Sequence, residues 1–212
     1  MAADEGKTWD FDSYDWLDRY DERMRGSQRL CYEETLRRLP SSAAAKPEDL
    51  VLDMGTGTGN SAAPFLELGC CVVGVDPSEQ MLKQAQEKAA SWAGRFSVRH
   101  VDDPFLRLPF ADAAFDVVVS AYAIHHLADP EKQCAVREAR RVLRPGGRIA
   151  IADTMFRDAD HKARALAEHR DMEDEYQPLL TTFPGMFEAE GFEVALHQIG
   201  DLVWILVARG RG

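Results

Sequence analysis

The stretch Leu50-Val-Leu-Asp-Met-Gly-Thr-Gly-Thr-Gly-Asn60 decides the fold of this 212-residue chain. Its first five residues have the apolar character of a short strand, and Gly55, Gly57 and Gly59 follow at once. Glycines let the chain turn tightly and bring its backbone against a ligand with no Cβ in the way. The N-terminus of a following helix favours a carboxylate or a phosphate. The pattern therefore predicts a strand, a ligand-binding turn and a helix.

The same order of strand, turn and helix repeats along the chain. Parallel strands are predicted at residues 50–54, 72–75, 96–101, 115–121 and 148–152. Strands that alternate with helices at this spacing predict a parallel, doubly wound sheet. Residues 192–197 and 202–207 flank Gly200 as a hairpin, which predicts an antiparallel edge. The predicted fold class is therefore α/β, with a mostly parallel sheet of seven strands and an antiparallel C-terminal hairpin.

Helices are also predicted on either side of this core. Tyr14 and Met24 lie on one helical stripe near the N-terminus. A second helix is predicted over residues 27–39, where Pro40 stops it because proline lacks a backbone N–H. A further helix is predicted over residues 158–176.

The composition is that of an ordinary globular chain. Hydrophobic residues make up 45% and charged residues 29%, which excludes a mostly disordered chain. No apolar run approaches the roughly 18–20 residues of a membrane span, and the N-terminus lacks the apolar core of a signal peptide. A net charge of −11 argues against a nucleic-acid partner, because phosphate binding needs a basic face. The cysteines form no Cys-x-x-Cys pair, so reduced thiols and a cytoplasmic location are expected.

The spacing of the glycines discriminates between two kinds of ligand. A dinucleotide fingerprint is Gly-x-Gly-x-x-Gly. Counted from Gly55, its last glycine falls on Asn60. Counted from Gly57, it falls on Ala62, and alanine is tolerated at that place. A nucleotide-dependent oxidoreductase on a similar fold therefore stays open as an alternative at this point.

Gly-x-Gly-x-Gly after the acidic Asp53 resembles the first motif of the class I S-adenosylmethionine-dependent methyltransferases. Further matches follow in that family's order, and they are Val73-Gly-Val-Asp-Pro-Ser-Glu-Gln-Met-Leu82, Leu108-Pro-Phe-Ala-Asp-Ala-Ala-Phe-Asp116 and Arg141-Val-Leu-Arg-Pro-Gly-Gly-Arg-Ile149. More narrowly, Ser120-Ala-Tyr-Ala-Ile-His-His-Leu127 resembles small bacterial methyltransferases of unassigned substrate. The resemblance implies S-adenosylmethionine as the cofactor, a small-molecule methyl acceptor, and S-adenosylhomocysteine as a product.

The same resemblance divides the chain into parts with different roles. It implies one methyltransferase domain with an N-terminal helical lid (1–47), a cofactor-binding core (48–152), an acceptor-side cap (153–193) and terminal strands (194–212). Residues 153–193 carry eleven acidic and four basic residues, a charge of −7. The plain interpretation is a solvated acidic helix. The functional interpretation is a preference for a neutral or cationic acceptor.

The resemblance also implies which residues hold the cofactor. Asp76 matches the acidic residue that holds the two ribose hydroxyls, and Asp102 matches the adenine contact. The sequence Asp-Pro-Ser-Glu from Asp76 is equally a good helix start with Asp76 as the N-cap, and the two roles can coexist. Asp53 is expected to orient the glycine loop or to meet the cofactor's amino group, while Tyr14 and Tyr20 resemble tyrosines that cover the cofactor in related enzymes. The predicted cofactor-binding residues are Tyr14, Tyr20, Asp53, Gly55, Thr56, Gly57, Gly59, Asp76, Pro77, Met81, Asp102 and Ser120.

Candidate catalytic residues follow the fourth and fifth strands, where the acceptor approaches the methyl group. His125 or His126 could act as a general base near neutral pH, and a hydrogen-bonded structural histidine is the plain alternative. Asp153 could hold a cationic acceptor or cap the next segment. No His-x-x-x-His or cysteine pair accompanies them, so no metal site is predicted. Because none of the three is a compelling base, a cofactor-binding regulator without turnover stays open as a second alternative.

Overall fold

The structure, a computed structural model, describes residues 19–92 and 94–210. Tyr14 lies outside the described residues. The strands in the described part are β1 (Leu50–Met54), β2 (Cys71–Asp76), β3 (Phe96–His100), β4 (Phe115–Ala121), β5 (Leu143–Thr154), β6 (Phe192–Gln198) and β7 (Val203–Gly210). The α-helices are α1 (Tyr20–Gly26), α2 (Tyr32–Ser42), α3 (Ala63–Leu68), α4 (Glu79–Ala89), α5 (Asp129–Val142), α6 (Ala159–Glu168) and α7 (Phe183–Ala189). Short 3₁₀ turns cover Gln28–Leu30, Ala90–Trp92, Ile124–His126 and Arg170–Met172.

These strands form one mixed sheet in the order β3-β2-β1-β4-β5-β7-β6. The strands from β1 to β5 pair in parallel, whereas β7 pairs antiparallel with both β5 and β6. The prediction of a mostly parallel α/β sheet with an antiparallel C-terminal hairpin is confirmed. The chain runs outward from β1 to β3 and then returns to β4 beside β1. In open α/β sheets, ligands bind at such a reversal, outside the carboxyl ends of the strands.

Apolar residues cover both faces of the sheet. On β4, Val118 packs in one apolar cluster, while Val117 and Val119 pack in another. Successive side chains of a strand point to opposite faces, so a strand covered on both sides is apolar throughout. Phe187 of α7 lies in the first cluster and Phe65 of α3 in the second. The helices on the two faces thus bury the sheet and leave its carboxyl edge open for a site.

Helix boundaries differ from the sequence predictions at three places. The helix predicted from residue 27 begins only at Tyr32, because a short 3₁₀ turn and a left-handed Cys31 come before it. The helix α2 continues past Pro40 for two residues, because a proline so close to the end removes only one late hydrogen bond. The helix α6 covers only the first part of the helix predicted over residues 158–176. Beyond α6 the chain turns inward, and Met172 packs with Phe156 in a small apolar cluster. Burial of Met172 is therefore the tertiary contact that ends the predicted helix.

All four cysteines are free thiols, and Cys70 is the buried one. Among the described helices, none combines the length and the apolar character that crossing a bilayer requires.

Candidate active site

A cavity of about 740 Å³ opens at the carboxyl ends of β1, β2 and β4. This is the reversal point of the sheet, and the volume falls in the range of small-molecule sites. Its walls include the segment from α1 to the start of α2, the glycine loop with the start of α4, the turn after β4, and the residues Asp171, Met172, Asp174 and Glu175. Segments distant in sequence therefore enclose one site.

The glycine loop follows β1, and its shape depends on left-handed backbone at Gly55 and Gly57. The N–H groups of Gly55 and Thr56 donate to the carbonyl of Val75 at 2.9 and 3.0 Å, which ties the loop to β2. A Cβ on Gly55 would lie 2.8 Å from the Cβ of Ala123. A Cβ on Gly57 would meet nothing within 4 Å, and Gly57 lines the cavity. Gly55 is thus required for packing, whereas Gly57 leaves space that a ligand can occupy.

Asp76 ends β2 and holds two backbone N–H groups at the cavity wall. Its Oδ2 accepts from the N–H of Gly57 and its Oδ1 from the N–H of Ser78, both at 2.9 Å. The prediction that Asp76 is the N-cap of the next helix is wrong. Ser78 is the N-cap, because its hydroxyl accepts from the N–H of Met81 at 3.1 Å and α4 begins one residue later. Since a carboxylate has about four acceptor positions, Asp76 retains capacity for hydroxyl groups of a ligand.

Asp53 lies beneath the glycine loop and is fully buried. Its Oδ2 accepts from the hydroxyls of Thr56 at 2.7 Å and Ser61 at 2.6 Å. Burial raises the pKa of Asp53 to about 6, and the charge of Asp76 adds to the rise, although the two hydrogen bonds lower the pKa in part. Asp53 does not line the cavity. Of its two predicted roles, this geometry favours orientation of the glycine loop.

The structure separates the remaining predicted cofactor residues into two groups. Gly59 and Ser120 lie behind the cavity wall, with Ser120 buried and Gly59 packed against Phe96. Asp102 lines the cavity, but its carboxylate is 98% exposed. The predicted cofactor residues on the cavity wall are Tyr20, Gly55, Thr56, Gly57, Asp76, Pro77, Met81 and Asp102.

Asp21 joins helix α1 to the glycine-loop side of the cavity, a contact that the sequence did not predict. One of its carboxylate oxygens accepts from the Thr58 hydroxyl at 2.7 Å and from the Asn60 amide at 2.8 Å. The other accepts from the ammonium of Lys88 at 2.8 Å. These partners lie 37 to 67 residues away in sequence, so no local pattern identifies Asp21. The carboxylate closes α1 over the glycine loop.

The opposite end of the cavity is formed around His125. The Nδ1 of His125 donates to Oδ1 of the fully buried Asp153 at 2.7 Å, and the backbone N–H of His125 donates to Oδ2 at 3.2 Å. The Nε2 of His125 lies 3.8 Å from Oε1 of Glu175. The structure thus brings two of the three predicted catalytic residues together and adds Glu175, which the sequence had placed only within the acidic stretch 153–193. His126 also lines the cavity, with its ring centroid 4.1 Å from that of His125.

Opposing influences act on the charge of His125. Burial alone lowers the pKa of His125, but the charge and hydrogen bond of Asp153, together with the charge of Glu175, outweigh it. The pKa of His125 is therefore raised despite burial and despite the ammonium of Lys132. The two carboxylates therefore favour the charged imidazolium of His125 over its neutral ring.

Lys132 ties the acidic segment to the turn after β4. Its side chain is fully buried, and its ammonium donates to the carbonyls of Leu127 at 2.7 Å and Tyr176 at 2.6 Å. A third hydrogen bond reaches Asp129 at 3.0 Å. The backbone N–H of Tyr176 also donates to the carbonyl of His125 at 2.8 Å. Lys132 lies four residues before the buried Val136 on the same face of α5, and a lysine on an apolar helical face is the sequence pattern that indicates a buried ammonium.

Only part of the acidic stretch 153–193, called here the acidic segment, faces the cavity. Asp171 lines the cavity and forms a salt bridge with Arg29 of the lid segment. Asp174 and Glu175 also line the cavity, whereas Glu173 is exposed and does not. Of the predicted acidic residues in this segment, Asp171, Asp174 and Glu175 thus place their charge at the cavity wall. No group of three or more His, Cys, Asp or Glu side chains that could hold a metal lies within 19–92 and 94–210.

Comparison with known proteins shows the family of this chain. Residues 51–147 match the family model described as a methyltransferase domain. An uncharacterized methyltransferase from Bacillus pumilus (strain SAFR-032) is 38% identical over 210 residues, covering 92% of this chain and 94% of that protein. The chain therefore belongs to the class I S-adenosylmethionine-dependent methyltransferases.

Solved structures share the fold at low identity. One is a putative methyltransferase from Haloferax volcanii in complex with the Trm112 methyltransferase activator, with a TM-score of 0.73, 23% identity, and coverage of 93% of this chain and 96% of that one. Another is the 1,6-didemethyltoxoflavin-N1-methyltransferase of Burkholderia thailandensis with 1,6-didemethyltoxoflavin and S-adenosylhomocysteine bound. It has a TM-score of 0.70 and 21% identity, covering 93% of this chain and 86% of that one. The protein is a methyltransferase with S-adenosylmethionine as its cofactor, so neither the oxidoreductase nor the regulator without turnover is retained.

The residues at the cofactor end fit the chemistry of S-adenosylmethionine. The open space at Gly57 admits close approach of a ligand to the backbone. The carboxylate of Asp76 can accept hydroxyl groups of the kind carried by a ribose diol. Met81 and Phe105 offer apolar surface on the cavity wall for a ring. The donor set therefore suits a nucleoside with a vicinal diol.

Proposed function

We propose that this methyltransferase acts on a neutral or cationic small molecule, with the cofactor at the glycine-loop end of the cavity and the acceptor at the His125 end. When bound, S-adenosylmethionine supplies an activated methyl group on a sulfonium. The protein aligns the acceptor with that methyl group, and alignment alone can lower the barrier by ~7–11 kcal/mol. The observation that carries the proposal is one continuous cavity with a nucleoside-compatible wall at one end and buried proton-handling groups at the other.

For the cofactor end, we assign direct contact to the predicted residues that line the cavity. Asp76 would hold the ribose hydroxyls, while Met81 and Pro77 would contact the base. Asp53 supports the loop through Thr56 and Ser61 instead of touching the cofactor. Tyr20 on α1 would cover the cofactor, since it lines the cavity from the lid side.

For the acceptor end, the sign of the nearby charges supports exclusion of anions. Asp174, Glu175 and Glu131 line the cavity there. Arg23 and Arg29 also line the cavity, and the charge of Arg29 is met by its salt bridge with Asp171. An anion brought among these carboxylates is repelled in the encounter and loses hydration inside the cavity. One of the similar structures, the 1,6-didemethyltoxoflavin-N1-methyltransferase of Burkholderia thailandensis with 1,6-didemethyltoxoflavin bound, supports a small molecule as the kind of acceptor.

The free thiols bear on location. Cys31, Cys70, Cys71 and Cys134 are unpaired with one another. Reduced cysteines are the rule in reducing compartments, so we propose that the enzyme works in the cytoplasm.

Release of S-adenosylhomocysteine tests the acceptor class with the matched probes benzylamine, aniline, benzyl alcohol and benzoate. We expect turnover of at least one of the neutral or cationic probes and none of benzoate. Asp174→Lys should raise the relative kcat/KM for benzoate roughly threefold to tenfold, because two units of charge change near the acceptor. Glu173→Lys is the matched control, since it makes the same charge change one residue away on an exposed side chain.

Salt gives a second reading of the same experiment. Exposed charges are screened within ~8 Å at physiological ionic strength, so the effect of Asp174→Lys should shrink as salt is added. Preferred turnover of benzoate by the wild type would contradict the proposed acceptor class. Equal effects of the two lysine substitutions would show that the acidic segment is only a solvated surface.

A further inference from the structure

The turn after β4 holds a histidine between two carboxylates at the acceptor end of the cavity. We propose that His125 is the catalytic base of this enzyme, that Asp153 positions it, and that the acceptor atom is the nitrogen of an amino group that is uncharged at pH 7, as on an aromatic ring. The inference rests on the proposed function, because it assumes that the acceptor occupies the His125 end of the cavity. It distinguishes His125 from His126, which the sequence alone could not do.

Asp153 fixes both the tautomer and the orientation of His125. A carboxylate oxygen can only accept, so the 2.7 Å hydrogen bond requires that Nδ1 of His125 carries the hydrogen. The second oxygen of Asp153 accepts from the backbone N–H of the same residue. The carbonyl of His125 is held by the N–H of Tyr176. Ring and backbone are therefore both fixed, and Nε2 is the nitrogen available to take a proton.

Glu175 determines what can bind beside Nε2. The Oε1 of Glu175 lies 3.8 Å from Nε2, beyond hydrogen-bond distance, so the two acceptors face one shared space. The other oxygen of Glu175 accepts from the amide of the buried Gln177 at 3.0 Å, which holds the carboxylate in place. One nitrogen with two hydrogens can donate to Nε2 and Oε1 together. A hydroxyl can satisfy one of them, and a thiolate or a carboxylate neither.

The reaction step is balanced with His125 as the proton acceptor. The lone pair of the amino nitrogen forms the new bond to the methyl carbon, and the electron pair of the breaking carbon–sulfur bond remains on sulfur. One N–H proton of the amine passes to Nε2 of His125. The positive charge of the sulfonium thereby becomes the positive charge of the imidazolium, which lies between Asp153 and Glu175.

The surroundings of His125 set its pH dependence. Burial lowers its pKa, the carboxylates of Asp153 and Glu175 raise it by more, and the ammonium of Lys132 lowers it. The ring of His126 lies against it from the same turn. The base must be neutral to act, so the rate should rise with pH through a pKa above the ordinary histidine value of about 6.5. Such a base suits an amine already neutral at pH 7, and not an alkylammonium with a pKa near ~10.

Nitrogen-15 NMR of the histidine side chains tests the base without any acceptor. In the enzyme saturated with S-adenosylhomocysteine, we expect the Nδ1–H tautomer for neutral His125 and protonation within pH 5–9. His161 is an internal reference of opposite tautomer, because its Nδ1 accepts from the N–H of Arg157 at 3.1 Å. Asp153→Asn should lower the pKa of His125, because the charge of the carboxylate is lost. Binding of S-adenosylhomocysteine as tightly as by the wild type is the control that this variant is folded. An Nε2–H tautomer, or a ring charged throughout pH 5–9, would overturn the assignment of the base.

Turnover tests the acceptor, with anilines, phenols, thiophenols and benzoates as matched probe sets. We expect anilines to be methylated fastest and His125→Gln to lose 10²- to 10⁴-fold in kcat. Its affinity for S-adenosylhomocysteine should stay within twofold, and the ascending limb of the pH profile should disappear. Imidazole added to His125→Ala should restore part of the rate, which a merely structural histidine would not allow.

The outcomes separate this inference from the proposed function. Turnover of anilines by the wild type with an unchanged pH profile in His125→Gln would overturn the base and leave the proposed function intact. Preference for thiophenols or benzoates would overturn the amino acceptor. The wild type could also bind the cofactor tightly and turn over none of the probe sets. That result would count against the acceptor assignment in both proposals. The tautomer of His125 would still decide its role as base.

Discussion

The two ends of the cavity are built on different principles. The cofactor end is formed mainly by backbone. Backbone N–H groups of the glycine loop donate hydrogen bonds to the carbonyl of Val75 and the carboxylate of Asp76, and these bonds hold the loop against the end of β2. The acceptor end is formed by side chains, with His125, Asp153 and Glu175 coming from three separate parts of the chain. A backbone-built wall is sensitive to any added Cβ. A side-chain-built wall can change its specificity by substitution, but it depends on the contacts that hold its parts together.

The largest expected effect concerns the backbone at Gly57. Gly57→Val should lower the affinity for S-adenosylhomocysteine at least ~100-fold, about 2.7 kcal/mol, because the new side chain would occupy the open space at the cavity wall. Calorimetry measures the affinity. Gly191→Val is the matched control, since Gly191 also has a positive φ and open space around it but does not line the cavity.

Both glycine variants should lose roughly 1–2 kcal/mol of unfolding free energy, because a left-handed conformation strains a residue with a Cβ. Only Gly57→Val should lose affinity. If Gly57→Val binds S-adenosylhomocysteine as well as the wild type, the glycine loop is a turn without a ligand role. The cofactor end would then not be a backbone-built wall that is sensitive to an added Cβ.

The next effect concerns Asp76. Asp76→Asn should weaken S-adenosylhomocysteine binding by roughly 1.5–3 kcal/mol, the range for hydrogen bonds to a charged group. Ser78→Ala is the comparison, because Ser78 is the helix cap that the sequence assigned to Asp76. It should cost about 0.5–2 kcal/mol of stability in thermal unfolding and leave the affinity within twofold. The reverse pattern would return Asp76 to a structural role.

A third experiment breaks the acceptor end alone. Lys132→Met should lower the unfolding free energy by about 1–3 kcal/mol, because the buried carbonyls of Leu127 and Tyr176 lose their donor. Its affinity for S-adenosylhomocysteine should remain within twofold, while kcat/KM for the acceptor falls. Arg164→Met, at an exposed position of α6, is the control for loss of one positive charge. A large loss of cofactor affinity in Lys132→Met would show that the two ends are not independent.

The smallest expected effect lies in the lid. Asp21→Asn should speed dissociation of S-adenosylhomocysteine about fivefold, near 1 kcal/mol, because the ion pair with Lys88 is partly exposed and therefore modest. Stopped-flow kinetics measures the dissociation rate. Glu22→Gln removes the same charge from the next, exposed residue and should leave the rate unchanged.

The contrast between the two ends also explains how far the sequence could be interpreted. The strand, the glycines and Asp76 lie within one short stretch, so local pattern was enough to predict the sheet and the position of the cofactor end. Even there, the sequence assigned the helix cap to Asp76, two residues before Ser78. Ser78 caps the helix because the Asp76 carboxylate is engaged by the glycine loop, a contact between separate segments.

At the acceptor end the decisive contacts are distant in sequence. Asp153 lies 28 residues from His125, and neither its alignment with Nδ1 nor the approach of Glu175 leaves a local pattern. His125 and His126 are adjacent and identical in type, so only the position of Asp153 on β5 distinguishes them. The end of α6 escaped prediction for a similar reason, since burial of Met172 redirects the chain.

The segment from Tyr20 to Leu30 contacts both walls of the cavity. Asp21 accepts from Thr58 and Asn60 of the glycine loop, whereas at the other wall Arg29 forms a salt bridge with Asp171 and the carbonyl of Leu30 accepts from the hydroxyl of Tyr122. Each wall therefore has its own contact with this segment, so a substitution that breaks one contact leaves the other in place.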